Sequence, residues 1–173
     1  MLRQKAADRM NAPTRSATGH VAAALHAKGV TAHILEFPQG TRTAQDAAAA
    51  VGTTVGQIVK SLVFLADGHP VLALASGANR VDVHKLARVV GAARVEKAGA
   101  EAVREATGFT IGGVPPVGHA RPLSVYIDQD LLQYDTVYAA AGTPNAVFAI
   151  EPRLLQQITA GRVADLRDDH DLA

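Results

Sequence analysis

Hydrophobic and polar positions along this chain change period several times, and each change marks an element. The strongest strand signal is 58–66, Ile-Val-Lys-Ser-Leu-Val-Phe-Leu-Ala. It is rich in β-branched residues and has the length of a strand rather than a helix. A second apolar run, 70–75, comes after it across Asp67-Gly68, a hairpin turn signature. Further strands are predicted over 32–36, 93–96, 123–128, 136–141, 146–150 and 162–166. Helical stretches fall between them. Thr18 caps a helix to residue 28, with Gly29 as its stop. Thr43 caps an Ala-rich helix over 44–51, closed by Gly52. Thr54 and Gln57 form a capping box for one more turn. Asp82 heads a helix over 83–90 that Gly91 ends, and 99–107 form another that Gly108 ends. Pro152 suits the first turn of a last helix, to residue 160.

Strands and helices mix here without a regular βαβ alternation, and two hairpins imply antiparallel pairing. The expected fold is therefore α+β: one domain with a mixed, curved sheet flanked by helices, not a doubly wound sheet. The domain is expected over 18–168. A disordered or loosely ordered tail is expected over 1–17 and a short one over 169–173. Neither an internal repeat nor an interdomain linker is visible.

Composition narrows the function classes. A chain of 173 residues, 48% hydrophobic, can bury a core of its own. Aromatics are only 4% and Trp is absent, so no base-stacking platform is available. The net charge of +1 rules out electrostatic coating of duplex DNA, and any RNA contact must be local. Arg3, Lys5, Arg9 and Arg15 make the N-terminus basic, read here as a solvated tail. The absence of Cys removes disulfides, thiol nucleophiles and Cys-ligated zinc together. No run spans a bilayer and the N-terminus lacks a secretory apolar core. The expectation is a soluble, cytoplasmic protein with no membrane or DNA partner.

Four features bear on chemistry. Lys60 shares a strand face with Ile58, Leu62 and Phe64, because side chains alternate along a strand. An ammonium buried there without a partner would cost several kcal/mol, on the order of the effective penalty for a desolvated ion. It either faces a ligand cavity or pairs, or it sits on an exposed face; spacing alone leaves these readings even. The second feature is the segment from Thr107 to His119, which carries Gly112-Gly113, Pro115-Pro116 and Gly118. Diglycine lets a backbone or ligand approach closely, and diproline stiffens the residues after it. A stiff loop with open amides can hold a carbonyl oxygen as it gains charge; an ordinary rigid turn is the alternative. Third, Asp128 ends the strand Leu123-Ser124-Val125-Tyr126-Ile127-Asp128, where it can cap the next turn, orient a cation or ribose hydroxyl, or do both. Fourth, none of the seven His has zinc-helix spacing, so no metal is expected. His119 alone flanks the Gly/Pro loop and is the one candidate for acid–base work. Ser61, Ser76 and Ser124 lack a nucleophile elbow.

The motif Ile58-Val59-Lys60-Ser61-Leu62-Val63-Phe64 is followed by Thr107-Gly108-Phe109 and then Gly112-Gly113-Val114-Pro115-Pro116-Val117-Gly118-His119. With Thr43-x-x-Asp46-Ala47-Ala48 upstream and Tyr126-Ile127-Asp128 downstream, the chain resembles the YbaK/prolyl-tRNA-synthetase-associated domain over residues 19–166. That resemblance implies a barrel-like mixed sheet. It implies a deacylase that hydrolyses the ester of mischarged tRNA, above all prolyl-tRNA carrying a small wrong amino acid such as Cys or Ala. No cofactor and no metal are implied. Partners would be the tRNA acceptor end and, in some arrangements, prolyl-tRNA synthetase, the protein being a monomer or weak homodimer. By the same resemblance Lys60 lies near the terminal adenosine and its phosphate, and the Gly112–Gly118 loop shapes the aminoacyl pocket. The catalytic candidates are Lys60, Gly112, Gly113 and His119. The substrate-binding candidates are Thr43, Ser61, Ser76, Val114, Pro115, Pro116, Gly118, Asp128, Gly142, Thr143 and Asn145. Where some members carry a histidine after the Gly142 turn, this chain has Thr143-Pro144-Asn145. Two alternatives stay open: a non-catalytic module holding aminoacyl-tRNA or a nucleotide in the same pocket, and a hydrolase of another small ester or amide.

Overall fold

A computed structural model describes residues 16–37 and 43–171. The helices are α1 (Ala17–Ala27), α2 (Ala44–Val51), α3 (Val83–Val90), α4 (Ala100–Thr107) and α5 (Pro152–Thr159). The strands are β1 (Ile34–Glu36), β2 (Ile58–Ala66), β3 (His69–Ser76), β4 (Val95–Lys97), β5 (Val125–Asp128), β6 (Val137–Ala140), β7 (Ala146–Ile150) and β8 (Arg162–Ala164). They form one mixed sheet in the order β1-β7-β6-β2-β3-β5-β8, with β4 beside β2. The two expected hairpins, β2–β3 and β6–β7, are antiparallel. Parallel pairing joins β2 to β6, β3 to β5 and β5 to β8. No described helix is long and apolar enough to cross a membrane.

Local chemistry explains most boundaries. In α2 the Thr43 hydroxyl accepts from the Asp46 amide at 3.1 Å, and the Asp46 carboxylate accepts from the Thr43 amide at 3.2 Å. Asp82 caps α3 through the amides of His84 and Lys85. The expected stops Gly52, Gly91 and Gly108 all stand at helix C-caps. The first helix starts earlier than expected. Ser16, not Thr18, is its cap and accepts from the Gly19 amide at 3.1 Å, so Ala17 is already helical. Of the tail expected over 1–17, residues 1–15 lie outside the described residues. The segment expected as a C-terminal tail opens with a short 3-10 turn, Asp169–Asp171. There Asp169 pairs with Lys85 at 2.9 Å.

The sheet buries both faces. The inner face packs Val59, Val63, Leu72, Leu74, Ile127 and Phe148 under α1, α5 and the segment from Phe109 to Val117. The outer face has two separate coverings. Helix α3 closes over Phe64, Val71 and Ala73, whereas α2 closes over Ile58 and Tyr138. Lys60 lies on β2 between these two patches. The anomaly in the sequence thus has a structural answer: the face is apolar on either side of Lys60, and the seam between the coverings falls at Lys60.

Candidate functional site

The site begins with a break in the sheet. Along one edge, β2 pairs with β3 over Val59 to Ala66. Along the other, β6 takes Ile58 and Val59, and β4 takes Phe64 to Ala66. Between them lie residues 60–63, beside which no described strand runs, although the Val63 carbonyl accepts from the Ala98 amide at 3.1 Å. A cavity of about 650 Å³ opens at this fork, within the usual size range of small-molecule sites.

Its walls come from five parts of the chain. Strand β2 contributes Ile58 through Val63, and β4 with the start of α4 contributes Lys97, Ala98 and Val103. Helix α2 brings Thr43, Ala44 and Ala47. Strands β6 and β7 with their turn bring Tyr138, Ala140, Pro144, Ala146 and Val147. The Gly/Pro segment adds Ile111, Gly112 and Val114. Among the described residues the lining therefore holds two lysines and no Asp, Glu or His. Among the described residues no group of three His, Asp or Glu stands close enough to share a metal ion.

The candidates divide into those that line the cavity and those that hold its walls. Lys60, Gly112, Thr43, Ser61 and Val114 line it. The Ser61 hydroxyl is buried without a hydrogen-bond partner. Gly113 does not line it. Its amide donates to the Thr110 carbonyl at 3.0 Å, which engages the donor that an oxyanion would need. Its role is close approach: a Cβ there would stand 2.9 Å from the Gly142 carbonyl oxygen and from Thr143 Cα. Gly142 in turn lies against Ala17 with φ +103. The diglycine segment thus docks on the β6–β7 turn, and that contact sets Gly112 and Val114 in the cavity wall.

Pro115, Pro116 and Gly118 are buried or half-buried behind the wall. Gly118 offers its carbonyl to the His20 ring at 2.9 Å. His119 is not in the cavity. Its Nε2 lies 2.6 Å from the Pro115 carbonyl, to which it donates, and burial holds its pKa below the ordinary value. Through that bond it braces the loop. Thr143 bonds Asn145 at 3.0 Å, and Asn145 donates to the Phe37 carbonyl at 2.9 Å. Both stiffen the turn while Pro144 faces the cavity.

Ser76 and Asp128 also stand behind the wall. The Ser76 hydroxyl donates to the Gly56 carbonyl at 2.7 Å and its amide to Asp128 Oδ2 at 3.1 Å. Asp128 is buried, caps the next turn through the Asp130 amide at 3.0 Å and accepts from the Asn79 side chain at 2.9 Å. The helix-cap reading of its position is realised. Sequence reasoning missed Lys97, Tyr138, Pro144 and the alanines of the wall. Lys97 ends a strand of three residues whose pairing with β2 no local pattern announces, and alanines carry no chemical signal.

Residues 38–158 match the sequence profile of a family described as "Aminoacyl-tRNA editing domain". The chain is similar to a solved structure described as a "putative trans-editing enzyme for prolyl tRNA synthetase", with TM-score 0.85 and 49% identity, over 88% of this chain and 98% of that one. It is 32% identical to "Uncharacterized protein YwhH" of Bacillus subtilis, over 75% of this chain and 83% of that one. It is also 27% identical to "Putative Cys-tRNA(Pro)/Cys-tRNA(Cys) deacylase EbsC" of Enterococcus faecalis, over 72% of this chain and 76% of that one.

Proposed function

This chain belongs to the aminoacyl-tRNA editing domain family, and we propose that it hydrolyses, in trans, the ester of a tRNA that prolyl-tRNA synthetase has charged with a wrong small amino acid. One observation carries the reading: among the described residues, the cavity at the fork of the sheet is lined by two lysines, no carboxylate and many small apolar side chains. Cations suit the phosphate of a terminal nucleotide, which carboxylates would repel. Ala44, Ala47, Ala140 and Ala146 leave room for a small side chain. An aminoacyl ester is already activated, so positioning and charge stabilisation supply much of what hydrolysis needs.

In this mechanism a water oxygen adds to the ester carbonyl carbon. The bond from that carbon to the ribose oxygen then breaks, and a proton of the added water passes to the departing ribose oxygen, leaving the free hydroxyl and the amino acid. Lys60 is assigned to the phosphate side of the terminal nucleotide. Gly112, rather than Gly113, is the candidate donor to the developing oxyanion, since the Gly113 amide is already engaged.

The test is deacylation of tRNAPro charged with alanine, cysteine, serine or threonine. Turnover of at least one ester, faster than that of prolyl-tRNA, is expected. Lys60→Ala should lower kcat/KM by about 100-fold or more while the protein stays folded. Tight binding of every ester without hydrolysis would instead make the domain a non-catalytic carrier. Neither binding nor turnover would direct attention to another small ester or amide.

A further inference from the structure

Lys60 does not stand alone at the cavity: its ammonium donates to the backbone carbonyl of Asn79. That carbonyl belongs to the loop 77–82, which comes directly after β3. The loop is fixed from two sides. On one side the Asn79 side-chain amide donates to Asp128 Oδ2 at 2.9 Å and to Asp130 Oδ2 at 2.7 Å. Both carboxylates stem from the end of β5: Asp128 is its last residue and Asp130 lies in the short turn it caps. On the other side the C-terminal segment straps the loop down. The Asp168 amide donates to the Arg80 carbonyl at 2.8 Å and the Asp82 amide to the Leu166 carbonyl at 2.8 Å. Arg167 closes the ring by pairing with Asp130 at 3.4 Å. At the start of the loop, the Gly77 amide donates to the Ile58 carbonyl at 2.7 Å.

Resting on the reading that Lys60 works in the deacylation site, we infer that Asn79 is a positioning residue: its amide, gripped by Asp128 and Asp130, fixes the carbonyl that holds the Lys60 ammonium at the cavity. A lysine stem has four rotatable carbons and loses much rotamer freedom when it is held. A carbonyl that is itself immobile supplies the hold without substrate. Two carboxylates converging on one amide are costly to arrange, since like charges repel. A loop needing only a turn has no use for that pair. Asn suits the position because one residue supplies both parts, an amide donor to the carboxylates and, on its backbone, the carbonyl for the cation. The buried Asp128 thereby acts two bonds away from the cavity, through Asn79, rather than on substrate.

The experiment is a double-mutant cycle with the full chain and mischarged tRNAPro. Asn79→Ala removes the grip but leaves Asp128 its two backbone donors, Ser76 and Asp130, so the fold should persist. It should lower kcat/KM by about tenfold alone and by nothing further when Lys60 is already Ala, because neighbours that act through one another are not additive. Asn79→Asp keeps the size but sets a third carboxylate against two, and should do no better than Asn79→Ala. A second readout does not need turnover: the NMR signal of the Lys60 side chain, identified by its loss in Lys60→Ala, should shift in Asn79→Ala, while that of Lys97 stays in place. If the two activity losses multiply, or if the Lys60 signal does not move, Asn79 does not position Lys60. Should the native protein turn over no ester while the Lys60 signal still shifts, the positioning stands and the deacylase assignment falls.

Discussion

At the scale of single residues, the Gly/Pro segment separates what a residue touches from what it enables. Gly113 is needed for its lack of a side chain, not for its amide. In Gly113→Ala the new Cβ meets the backbone of Gly142 and Thr143 at 2.9 Å, and backbone cannot swing away as a flexible side chain would. A loss of about 1–3 kcal/mol is expected in urea unfolding, the range for forced overpacking. Turnover should fall with it, since Gly112 and Val114 reach the cavity through that docking. His119 yields a different prediction. Its pKa in the folded chain lies below the ordinary imidazole value because burial disfavours the cation, partly offset by its bond to the Pro115 carbonyl. The unfolded chain therefore binds the proton more readily. Stability should be full above pH about 6.5, decline below it, and level off once the lowered folded value is passed. His119→Gln should flatten that acid limb in urea titrations and keep turnover within a few-fold. A hundredfold loss of activity with the fold intact would return His119 to an acid–base role.

At the scale of elements, the chain advertises its helices and hairpins through local chemistry and conceals the fork. The Thr43 and Asp82 caps and the stops Gly52 and Gly91 are written within a few residues of their helices, and they stand where the sequence suggests. The hairpin turn Asp67-Gly68 is equally local, and the amides of Ala93 and Arg94 hold the Asp67 carboxylate below its usual pKa. The partnership of β2 with β6 and β4 joins residues far apart in sequence, and no periodicity encodes it. Lys60 and Gly112 line the cavity and could be singled out in the sequence because each violates a local expectation. The resemblance places Asn145, Thr143 and Ser76 at the site, whereas their side chains bond within the turn, to the Phe37 carbonyl and to the Gly56 carbonyl. The alanine wall could not be seen, since alanine looks the same in a core and in a pocket. It can be tested at Ala140, one of the two β6 residues that line the cavity. Ala140→Leu adds bulk beside Tyr138 and Val147 without touching Lys60's loop. Unfolding should change by less than about 1.5 kcal/mol, while kcat/KM for the preferred ester falls by about 10-fold or more, the scale of a methylene-sized misfit in an apolar pocket. Equal turnover by Ala140→Leu would mean that the acyl group lies elsewhere.

For the whole molecule, charge decides how the substrate is held. A net charge of +1 provides no long-range field to draw in a polyanion. The described cavity offers two cations, Lys60 and Lys97. A single-stranded end releases about 0.7 counterion per phosphate neutralised, so two contacts predict that the logarithm of the binding constant falls with the logarithm of salt at a slope of about −1.4. Lys97→Ala should reduce that slope by about 0.7 and weaken binding similarly for every amino acid attached, because phosphate contacts carry no information about the acyl group. Ala140→Leu should do the reverse, changing the ranking of esters and leaving the slope alone. A native slope much steeper than this would require cations beyond the cavity, with Arg3, Lys5, Arg9 and Arg15 the first to examine. Removing residues 1–15 would then restore the shallow slope without altering the hydrolysis rate of bound ester. If the shortened chain keeps the steep slope, the tRNA body is gripped by the folded domain, on a surface apart from the fork.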